Sequence, residues 1–291
     1  KMMIRNNPYQ DETKGILTLV STPIGNRDDI TLRALNALKE ADIIACEDTR
    51  NTSLLVSGYG IKNKKYVSLY AQTEARDAKA LVEQIKKENL KVCYCSDAGM
   101  PGISDPGAIL VKECYQQNVN VTILPGPSAS LSALVLSSFD TADFSFFGFL
   151  PTKDGQIKKF LTPLKERQET LIFYESPKRI RHTLELVSEV FGPEREVAIV
   201  RELTKIHEET IASKVSEILS SSFEEKGEFV LIIKGSEERT IDQKEIDNRI
   251  KEGLKAGKSS SSLAKEIAAE LSLSKNQIYD RILTLSKKLR G

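Results

Sequence analysis

The stretch Ser96-Asp97-Ala98-Gly99-Met100-Pro101-Gly102-Ile103-Ser104-Asp105-Pro106-Gly107 carries the densest loop pattern in this 291-residue chain. It follows an apolar run over residues 92–95 and precedes a helical pattern. A strand that ends in a loop and a helix brings that loop to the carboxyl edge of a sheet, where α/β proteins bind ligands. Glycines allow close backbone approach, and prolines stiffen the loop. The spacing matches neither G-x-G-x-x-G nor the P-loop pattern, which excludes those two phosphate-binding fingerprints.

Three further apolar runs, over residues 16–20, 43–46 and 119–123, also end in polar or Gly/Pro-rich segments. In chain order these strand exits are Thr22-Pro23-Ile24-Gly25-Asn26, Glu47-Asp48-Thr49-Arg50 and Leu124-Pro125-Gly126-Pro127-Ser128-Ala129. Apolar runs that alternate with amphipathic helices predict a mainly parallel sheet over residues 15–127. The four exits then lie along one edge of the sheet and form one site. The alternative is that they are ordinary turns of an α/β protein.

The patterning changes at about residue 128, where strands become denser. Apolar runs predict strands over residues 144–149, 170–174, 197–200 and 229–233. Fewer crossover helices separate these runs, which favours a mixed sheet. We therefore predict a second α/β domain over residues 128–236.

A composition break at residues 235–243 precedes a helical segment, predicted as a third domain over residues 242–291. Helices are predicted at Ile246–Leu254, Leu263–Leu271 and Gln277–Leu289, with Ser274 as a possible N-cap of the last. Two short helices with a tight turn and a shared apolar face are typical of a helix-turn-helix. A small three-helix bundle that packs on the body or on a second subunit is the alternative.

The charge is unevenly distributed along the chain. Residues 242–291 carry 11 basic and 7 acidic side chains, whereas residues 128–241 carry 15 and 19. Only the tail has the excess of positive charge that is expected of a nucleic-acid contact. A solvated, lysine-rich helix face is the other interpretation.

The composition, 40% hydrophobic and 29% charged, is that of an ordinary soluble protein. No apolar run approaches the roughly 20 residues that span a bilayer, and no signal peptide is recognised at the start, so we expect no membrane contact. The four cysteines lie in apolar runs without Cys-x-x-Cys spacing. They predict buried free thiols in a reducing cytoplasm rather than a zinc site or disulfides.

Taken together and in this order, the four strand exits resemble the tetrapyrrole methylase superfamily of S-adenosylmethionine enzymes, and within it methyltransferases of small-subunit ribosomal RNA. The resemblance runs from about Gly15 to Gly235. It implies an α/β fold of two domains, the class III methyltransferase fold, with the cofactor in the cleft between them. The tail fits as a C-terminal helical domain resembling a helix-turn-helix.

The resemblance also implies an activity and partners. It implies S-adenosylmethionine-dependent 2′-O-methylation of a cytidine ribose in 16S ribosomal RNA of the 30S subunit, by a cytoplasmic homodimer that needs no metal. One alternative is a tetrapyrrole C-methyltransferase of the same superfamily. A less favoured alternative is a ligand-sensing regulator that binds DNA through the tail.

The predicted cofactor site combines acceptors, apolar side chains and flexible loop backbone. Asp97 can accept from a ribose hydroxyl or an ammonium group, and Met100 and Ile103 can pack on adenine or the thioether. In the second domain, the backbone near Glu202 and Phe229 is expected to help close over the adenosine. By the resemblance and this chemistry, the cofactor residues are Pro23, Asp97, Gly99, Met100, Gly102, Ile103, Ser104, Ser128, Ala129 and Tyr174.

A ribose hydroxyl must lose its proton as it is methylated, so a nearby carboxylate or amine can assist. Two strand exits offer such groups, and the predicted catalytic residues are Glu202, Lys205, Glu47, Asp48 and Arg50. Structural ion pairs are the alternative for both clusters. His207 and His182 are expected at the surface. The basic cluster Lys178, Arg179 and Arg181 is either a phosphate contact or an exposed helix start.

Overall fold

The computed structural model describes residues 14–69, 74–103, 107–237, 243–271 and 275–290. The chain divides between Ser236 and Glu237 into two compact units. The first unit contains two five-stranded sheets, and the second contains three helices. The α/β fold class with C-terminal helices is therefore confirmed, whereas the boundary at residues 127 and 128 stays a prediction.

The first sheet is parallel throughout, with strand order β3-β2-β4-β1-β5. Its strands are β1 (Ile16–Val20), β2 (Ile43–Cys46), β3 (Lys65–Ser68), β4 (Lys91–Cys95) and β5 (Asn120–Leu124). The helices that connect them are α1 (Leu32–Glu40), α2 (Thr49–Gly58), α3 (Glu74–Glu88) and α4 (Gly107–Gln117). The central strands are almost wholly buried because helices cover both faces of the sheet.

The helices that follow the adjacent strands β1 and β4 lie on opposite faces of this sheet. Leu38 of α1 lies in the apolar cluster on one face, and Leu110 of α4 lies in the cluster on the other. Neighbouring strands whose helices leave to opposite sides open a crevice at their carboxyl ends. The loops after β1 and β4 lie at that crevice.

The second sheet is mixed, as predicted, with order β6-β7-β10-β8-β9; β6 and β7 are parallel and the other pairs antiparallel. Its strands are β6 (Phe144–Phe149), β7 (Thr170–Glu175), β8 (Glu196–Arg201), β9 (Glu209–Lys214) and β10 (Phe229–Ile233). The helices of this part are α5 (Ala129–Leu136), α6 (Asp154–Leu161), α7 (Ile180–Phe191) and α8 (Val215–Ser220). Side chains from α6, α7 and α8 cover one face of the sheet, and those from α5 pack on the other.

Local side-chain chemistry sets several helix starts in the first unit. Thr31 caps α1, because its hydroxyl oxygen accepts the N–H of Ala34 at 3.1 Å. Asp48 caps α2, because its Oδ1 accepts the N–H groups of Arg50 and Asn51 at 2.8 and 3.3 Å. Such caps satisfy backbone donors that have no partner within the helix.

The second unit has its own apolar core. Its helices are α9 (Gln243–Lys255), α10 (Ser260–Leu271) and α11 (Lys275–Arg290), which matches the three predicted helices. Leu263 and Ile267 of α10 share a buried cluster with Ile282 of α11 and Ile250 of α9. Arg281 also donates two hydrogen bonds to Asp247, at 2.8 and 2.9 Å, which ties α11 to α9. The predicted cap Ser274 lies outside the described residues.

The four cysteines are free and buried, as predicted. Burial raises the pKa of Cys93 to about 12 and the pKa of Cys95 well above its usual value. Such thiols are poor nucleophiles, which fits packing roles. Within the described parts of the chain, no helix combines the length and apolarity needed to cross a membrane.

Candidate active site

A cavity of about 630 Å³ lies between the carboxyl edge of the first sheet and the α5-side face of the second. Its volume falls within the range of about 300–1,000 Å³ that is typical of small-molecule sites. From the first sheet and α5 it is lined by Ile24, Glu47, Ser96, Asp97, Ala98, Gly99, Met100, Ile103, Ser128, Ala129 and Ser130. From the second sheet it is lined by Phe149, Tyr174, Glu175, Ser176, Pro177, Val200, Leu203, Glu228, Phe229 and Val230.

Hydrogen bonds hold the loop after β4 against the loop after β1. Thr22 and Gly99 exchange two backbone hydrogen bonds of 3.1 Å. The hydroxyl of Thr22 donates to the carbonyl of Ser96, and the hydroxyl of Ser96 donates to the carbonyl of Gly99. Gly99 has a φ of +79°, a conformation that favours glycine. The loop next to Asp97 is therefore held in place on a rigid sheet edge.

The first turn of α5 forms part of the cavity wall. Ser128 is the N-cap residue, yet its side chain makes no capping hydrogen bond and instead lies 3.3 Å from the hydroxyl of Ser130. Backbone N–H groups at a helix N-terminus favour anions. This turn can therefore bind a carboxylate in the cavity.

The opposite wall, from the second sheet, is apolar and aromatic. Val200 and Val230 are buried along its inner face, whereas the side chain of Phe229 packs into the core on the other face of this sheet. The ring of Tyr174 packs edge-on against Phe149, with ring centroids 5.6 Å apart. Burial raises the pKa of Tyr174, and hydrogen bonding to Ser130 offsets part of that increase. This wall can cover an apolar or planar ligand.

A fully buried carboxylate, Glu175, lies at the end of β7. Its Oε1 accepts the N–H of Ser176 and its Oε2 accepts the hydroxyl of Thr183, both at 2.7 Å. The guanidinium of Arg179 lies 3.4 Å from Oε2 and donates to the carbonyl of Pro151 at 2.6 Å. Glu175 thus fixes the strand exits of β7 and β6 relative to each other.

The loops after β1 and β8 pack closely against each other at Gly25. A Cβ at this position would lie 2.5 Å from Cγ of Lys205 and 2.8 Å from the carbonyl oxygen of Leu203. The N–H of Asn26 donates to Oγ1 of Thr204 at 3.0 Å. Because Ile24 and Leu203 both line the cavity, this contact fixes the distance between its two walls.

Glu202 and Lys205 form an ion pair beside the cavity. Nζ of Lys205 donates to Glu202 and to Glu228, each at 2.9 Å. Burial opposes ionisation of Glu202, but its hydrogen bonds with Lys205 and the N–H of Glu228 outweigh this and lower its pKa. Burial likewise disfavours the charged form of Lys205, and the two carboxylates outweigh it and raise the pKa. Neither shift moves the group toward the near-neutral pKa that suits a general base.

Most of the predicted cofactor residues lie together in the cavity wall: Asp97, Gly99, Met100, Ile103, Ser128, Ala129 and Tyr174. Pro23 is adjacent to the lining residue Ile24, and Gly102 lies in the same loop as Met100 without lining the cavity. Ser104 lies outside the described residues. The roles of all these residues stay predictions.

The predicted catalytic residues are more dispersed. Glu47 lines the cavity, whereas Asp48 caps α2 and Arg50 is exposed at its start. Glu202 and Lys205 lie outside the lining, although Leu203 and Glu228 next to them belong to it. Their catalytic roles stay predictions.

The other polar residues singled out in the sequence lie away from the cavity lining. His207 is exposed in the turn before β9. His182, on α7, hydrogen-bonds Asp154 and Glu185, and these contacts raise its pKa. Arg181 pairs with Glu225, so within the predicted basic cluster Lys178 is the exposed cation next to the cavity-lining residue Pro177.

Sequence reasoning missed Phe149 and Glu175 as cavity residues. Glu175 carries a signal, since it ends an apolar run as Glu47 does. In the sequence, Phe149 is indistinguishable from the other apolar residues of its strand. Only the pairing of β6 with β7 shows on which face its ring lies.

Comparison with known proteins agrees with this geometry. The family model described as tetrapyrrole (corrin/porphyrin) methylases matches residues 16–219. A protein of Bacillus subtilis (strain 168) named ribosomal RNA small subunit methyltransferase I is 38% identical over 275 residues, which cover 91% of this chain and 93% of that protein. The chain belongs to this methyltransferase family, within the tetrapyrrole methylases.

A relative with the same name from Thermotoga maritima is 44% identical over 226 residues. The alignment covers 77% of this methylase and the whole of that relative. A relative from Streptococcus pyogenes serotype M3 (strain MGAS315), also with that name, is 38% identical over 96% of this chain and 99% of its own.

Two solved structures share the fold of this methylase. Diphthine synthase superimposes with a TM-score of 0.60 at 14% identity, covering 75% of this chain and 90% of its own. The methyltransferase CobJ superimposes with a TM-score of 0.58 at 19% identity, covering 77% and 95%. At such low identity the likeness concerns the fold alone.

Proposed function

We propose that this protein transfers a methyl group from S-adenosylmethionine to 16S ribosomal RNA of the 30S subunit, at the 2′-oxygen of a cytidine. The observation that carries the proposal is the cavity between the two sheets, in which Asp97, the backbone around Gly99 and the first turn of α5 meet an apolar wall. The names of the relatives that share 37–44% of its residues support the choice of substrate.

The described residues fit the proposed cofactor. The carboxylate of Asp97 accepts from the hydroxyl or ammonium groups of the cofactor, and the N–H groups at the start of α5 suit the cofactor's carboxylate. Met100 and Ile103 supply apolar contact from one side, and Tyr174 and Val230 supply it from the other. S-adenosylmethionine brings an electrophilic methyl group bound to a positively charged sulfur.

The residues of the chain then position the hydroxyl and exclude water, which is most of what an in-line displacement requires. The bond from the ribose oxygen to the methyl carbon forms as the bond from that carbon to sulfur breaks. The hydroxyl proton passes to a base. We assign this step to Glu47, because it is the predicted catalytic carboxylate that lines the cavity.

A two-substrate assay tests the proposal. With labelled S-adenosylmethionine, unmethylated 30S subunits and a porphyrinogen are offered side by side, and label is counted in RNA and in tetrapyrrole. We expect label in RNA alone. Label in the porphyrinogen would support the tetrapyrrole C-methyltransferase instead, and label in neither would refute both activities.

We also propose that the protein acts as a homodimer in the cytoplasm. Exposed apolar side chains on α5 and at the edge strand β5, Leu131, Val135 and Ile123, support an interface there. Sedimentation of the full chain with a Leu131→Glu and Val135→Glu variant tests this. A monomeric wild type at micromolar concentration would refute the homodimer, and a dimeric double variant would refute this surface.

A further inference from the structure

The strand β6 contains a bulge that changes the direction of its last side chain. Phe146 pairs with Ile172 of β7, but the next pair joins Phe149 to Tyr174, so three steps on β6 match two on β7. Gly148, inside this irregularity, has a φ of +66°. Such an extra residue bends a strand and redirects its side chains, and bulges are common next to active sites.

The direction of Phe149 follows from the alternation of side chains along a strand. Phe147 packs at 5.2 Å from Phe173 in the core under α6 and α7. Without the extra residue, Phe149 would share that face, because it lies two positions further on. With it, Phe149 joins Phe146 on the cavity side, where both rings pack edge-on against Tyr174 at 5.6 and 4.9 Å.

The segment that carries Phe149 is held rigidly. Two residues beyond it, the carbonyl of Pro151 accepts a hydrogen bond of 2.6 Å from Arg179. Arg179 in turn lies 3.4 Å from the buried carboxylate of Glu175. The ring of Phe149 is thus supported by Tyr174 on one side and by a fixed backbone on the other.

Despite this support, the ring is left open to solvent. Phe149 is 62% exposed, whereas Val200 and Val230, deeper on the same wall, are at most 5% exposed. Phe149 therefore lies at the mouth of the cavity. From the first sheet, Ile103 lines the same cavity and is 54% exposed.

Positive charge accompanies this ring. The parallel strands β6 and β7 each contribute an aromatic residue to the cavity wall, Phe149 as the last residue of β6 and Tyr174 as the last but one of β7. An exposed lysine follows each ring four positions later: Lys153 follows Phe149, and Lys178 follows Tyr174. Aromatic faces beside cations are the usual composition of sites for single-stranded nucleic acid. Asp97, the proposed acceptor for the cofactor, comes by contrast from the first sheet.

We propose that Phe149 is the platform on which a nucleobase of the RNA substrate stacks at the mouth of the cavity. The proposal rests on the proposed function, since it assumes an RNA substrate. The bulge at Gly148 turns this ring away from the core and toward the cavity. Stacking on Phe149 holds the RNA strand in reach of the methyl donor.

The test uses the full chain with Phe149→Ala, Phe149→Trp and, as a matched control, Phe144→Ala. Phe144 lies on the same strand and is 42% exposed, but it does not line the cavity. Calorimetry gives the Kd for S-adenosylmethionine, and methyl transfer to unmethylated 30S subunits gives kcat and KM. Thermal unfolding checks that each variant is folded.

For Phe149→Ala we expect KM for 30S subunits to rise about 5- to 150-fold, the range that base stacking on an aromatic ring is worth. Saturating substrate should restore kcat, because lost stacking weakens binding before and during reaction alike. The cofactor Kd should stay within about twofold. Phe149→Trp should restore KM, since it keeps an aromatic face, and Phe144→Ala should behave as wild type.

Three results would overturn the proposal while leaving the proposed function intact. They are an unchanged KM in Phe149→Ala, a loss of cofactor affinity that shows the ring covers the adenine instead, and a Phe149→Trp variant as impaired as Phe149→Ala. A wild-type protein that transfers no methyl group to 30S subunits would instead refute the proposed function, and this proposal with it.

Discussion

Gly25 is the residue at which the walls of the cavity meet. Because an added Cβ would overlap the backbone of Leu203 and the side chain of Lys205, Gly25→Ala has to push the loops after β1 and β8 apart. Overpacking of this kind costs about 1–3 kcal/mol. If that strain opens the cavity, the Kd for S-adenosylmethionine rises about 5- to 150-fold in calorimetry.

Gly155 supplies the control for that experiment. It lies in α6, and an added Cβ there meets nothing within 4 Å. Gly155→Ala should leave cofactor affinity unchanged and stabilise the helix by about 0.5–1 kcal/mol. Equal cofactor affinity in both variants would contradict the role given to Gly25.

The ion pair of Glu202 with Lys205 predicts a pH dependence of stability. The pKa of Glu202 is lowered in the folded protein, so its contribution is present above its ordinary value of 4.5 and is lost as the pH falls through the folded value. Lys205→Met removes the main partner of this partly buried carboxylate. We expect it to lower the free energy of unfolding by about 1–3 kcal/mol at pH 7.

Urea titrations at pH 7 and about pH 3.5 measure this effect, which should shrink at the lower pH as Glu202 becomes protonated. Lys226→Met is the control, because Lys226 is 87% exposed and lies 3.6 Å from Glu224. Exposed pairs contribute little. A loss in Lys205→Met that is the same at both pH values would contradict the assignment.

At the scale of the elements, the start of α2 distinguishes the roles of the two acidic residues that precede it, Glu47 and Asp48. Asp48 accepts the N–H groups of Arg50 and Asn51, so Asp48→Ala should cost about 1 kcal/mol in urea unfolding. Asp48→Ser keeps a cap without a carboxylate and should keep stability and methyl transfer. Glu47→Gln should lower kcat by about 100-fold or more. A stable but inactive Asp48→Ser would assign the catalytic role to Asp48 instead.

How far the sequence predicts the elements depends on whether their signals are local. The exits after β1, β2 and β4 were predictable because apolar runs give way abruptly to Gly, Pro and charged residues. The edge strands β3 and β9 were not predicted. β3 has only four residues, and β9 alternates half-buried with exposed residues, so their pattern differs little from that of a polar loop.

The bulge in β6 was unpredictable for a different reason. A glycine in a strand is compatible with a bulge, but its position relative to β7 depends on pairing between segments distant in sequence. The contact of Gly25 with Leu203 likewise joins residues far apart in the chain. The individual strand exits that form the cavity walls were thus predictable from the sequence, whereas the contacts that join the two walls were not.

At the scale of the whole molecule, the two units have separate apolar cores. The second carries the positive charge of the tail, with exposed lysines such as Lys251, Lys265 and Lys275. Because every residue proposed to bind the cofactor precedes Ser236, deleting residues 242–291 should leave the cofactor Kd unchanged. The truncated protein should bind 30S subunits more weakly, and with a flatter dependence on salt, because each lost phosphate contact removes about one unit of slope.

Filter binding across a salt series measures that slope for the full and truncated chains. Loss of cofactor binding after truncation would mean that the tail is required for the integrity of the first unit. Unchanged 30S affinity and salt slope would contradict an RNA-binding role of the tail.

The central claim is that the cavity between the sheets performs methyl transfer to a ribose of small-subunit ribosomal RNA. The most direct measurement is mass spectrometry of nucleosides from 30S subunits that were incubated with the protein and methyl-labelled S-adenosylmethionine. The wild type should yield labelled 2′-O-methylcytidine, and Asp97→Ala, which removes an acceptor worth about 1–3 kcal/mol in the cavity, should yield much less at low cofactor concentration. Label on a base carbon or nitrogen, or equal yield from Asp97→Ala at low cofactor concentration, would contradict the account.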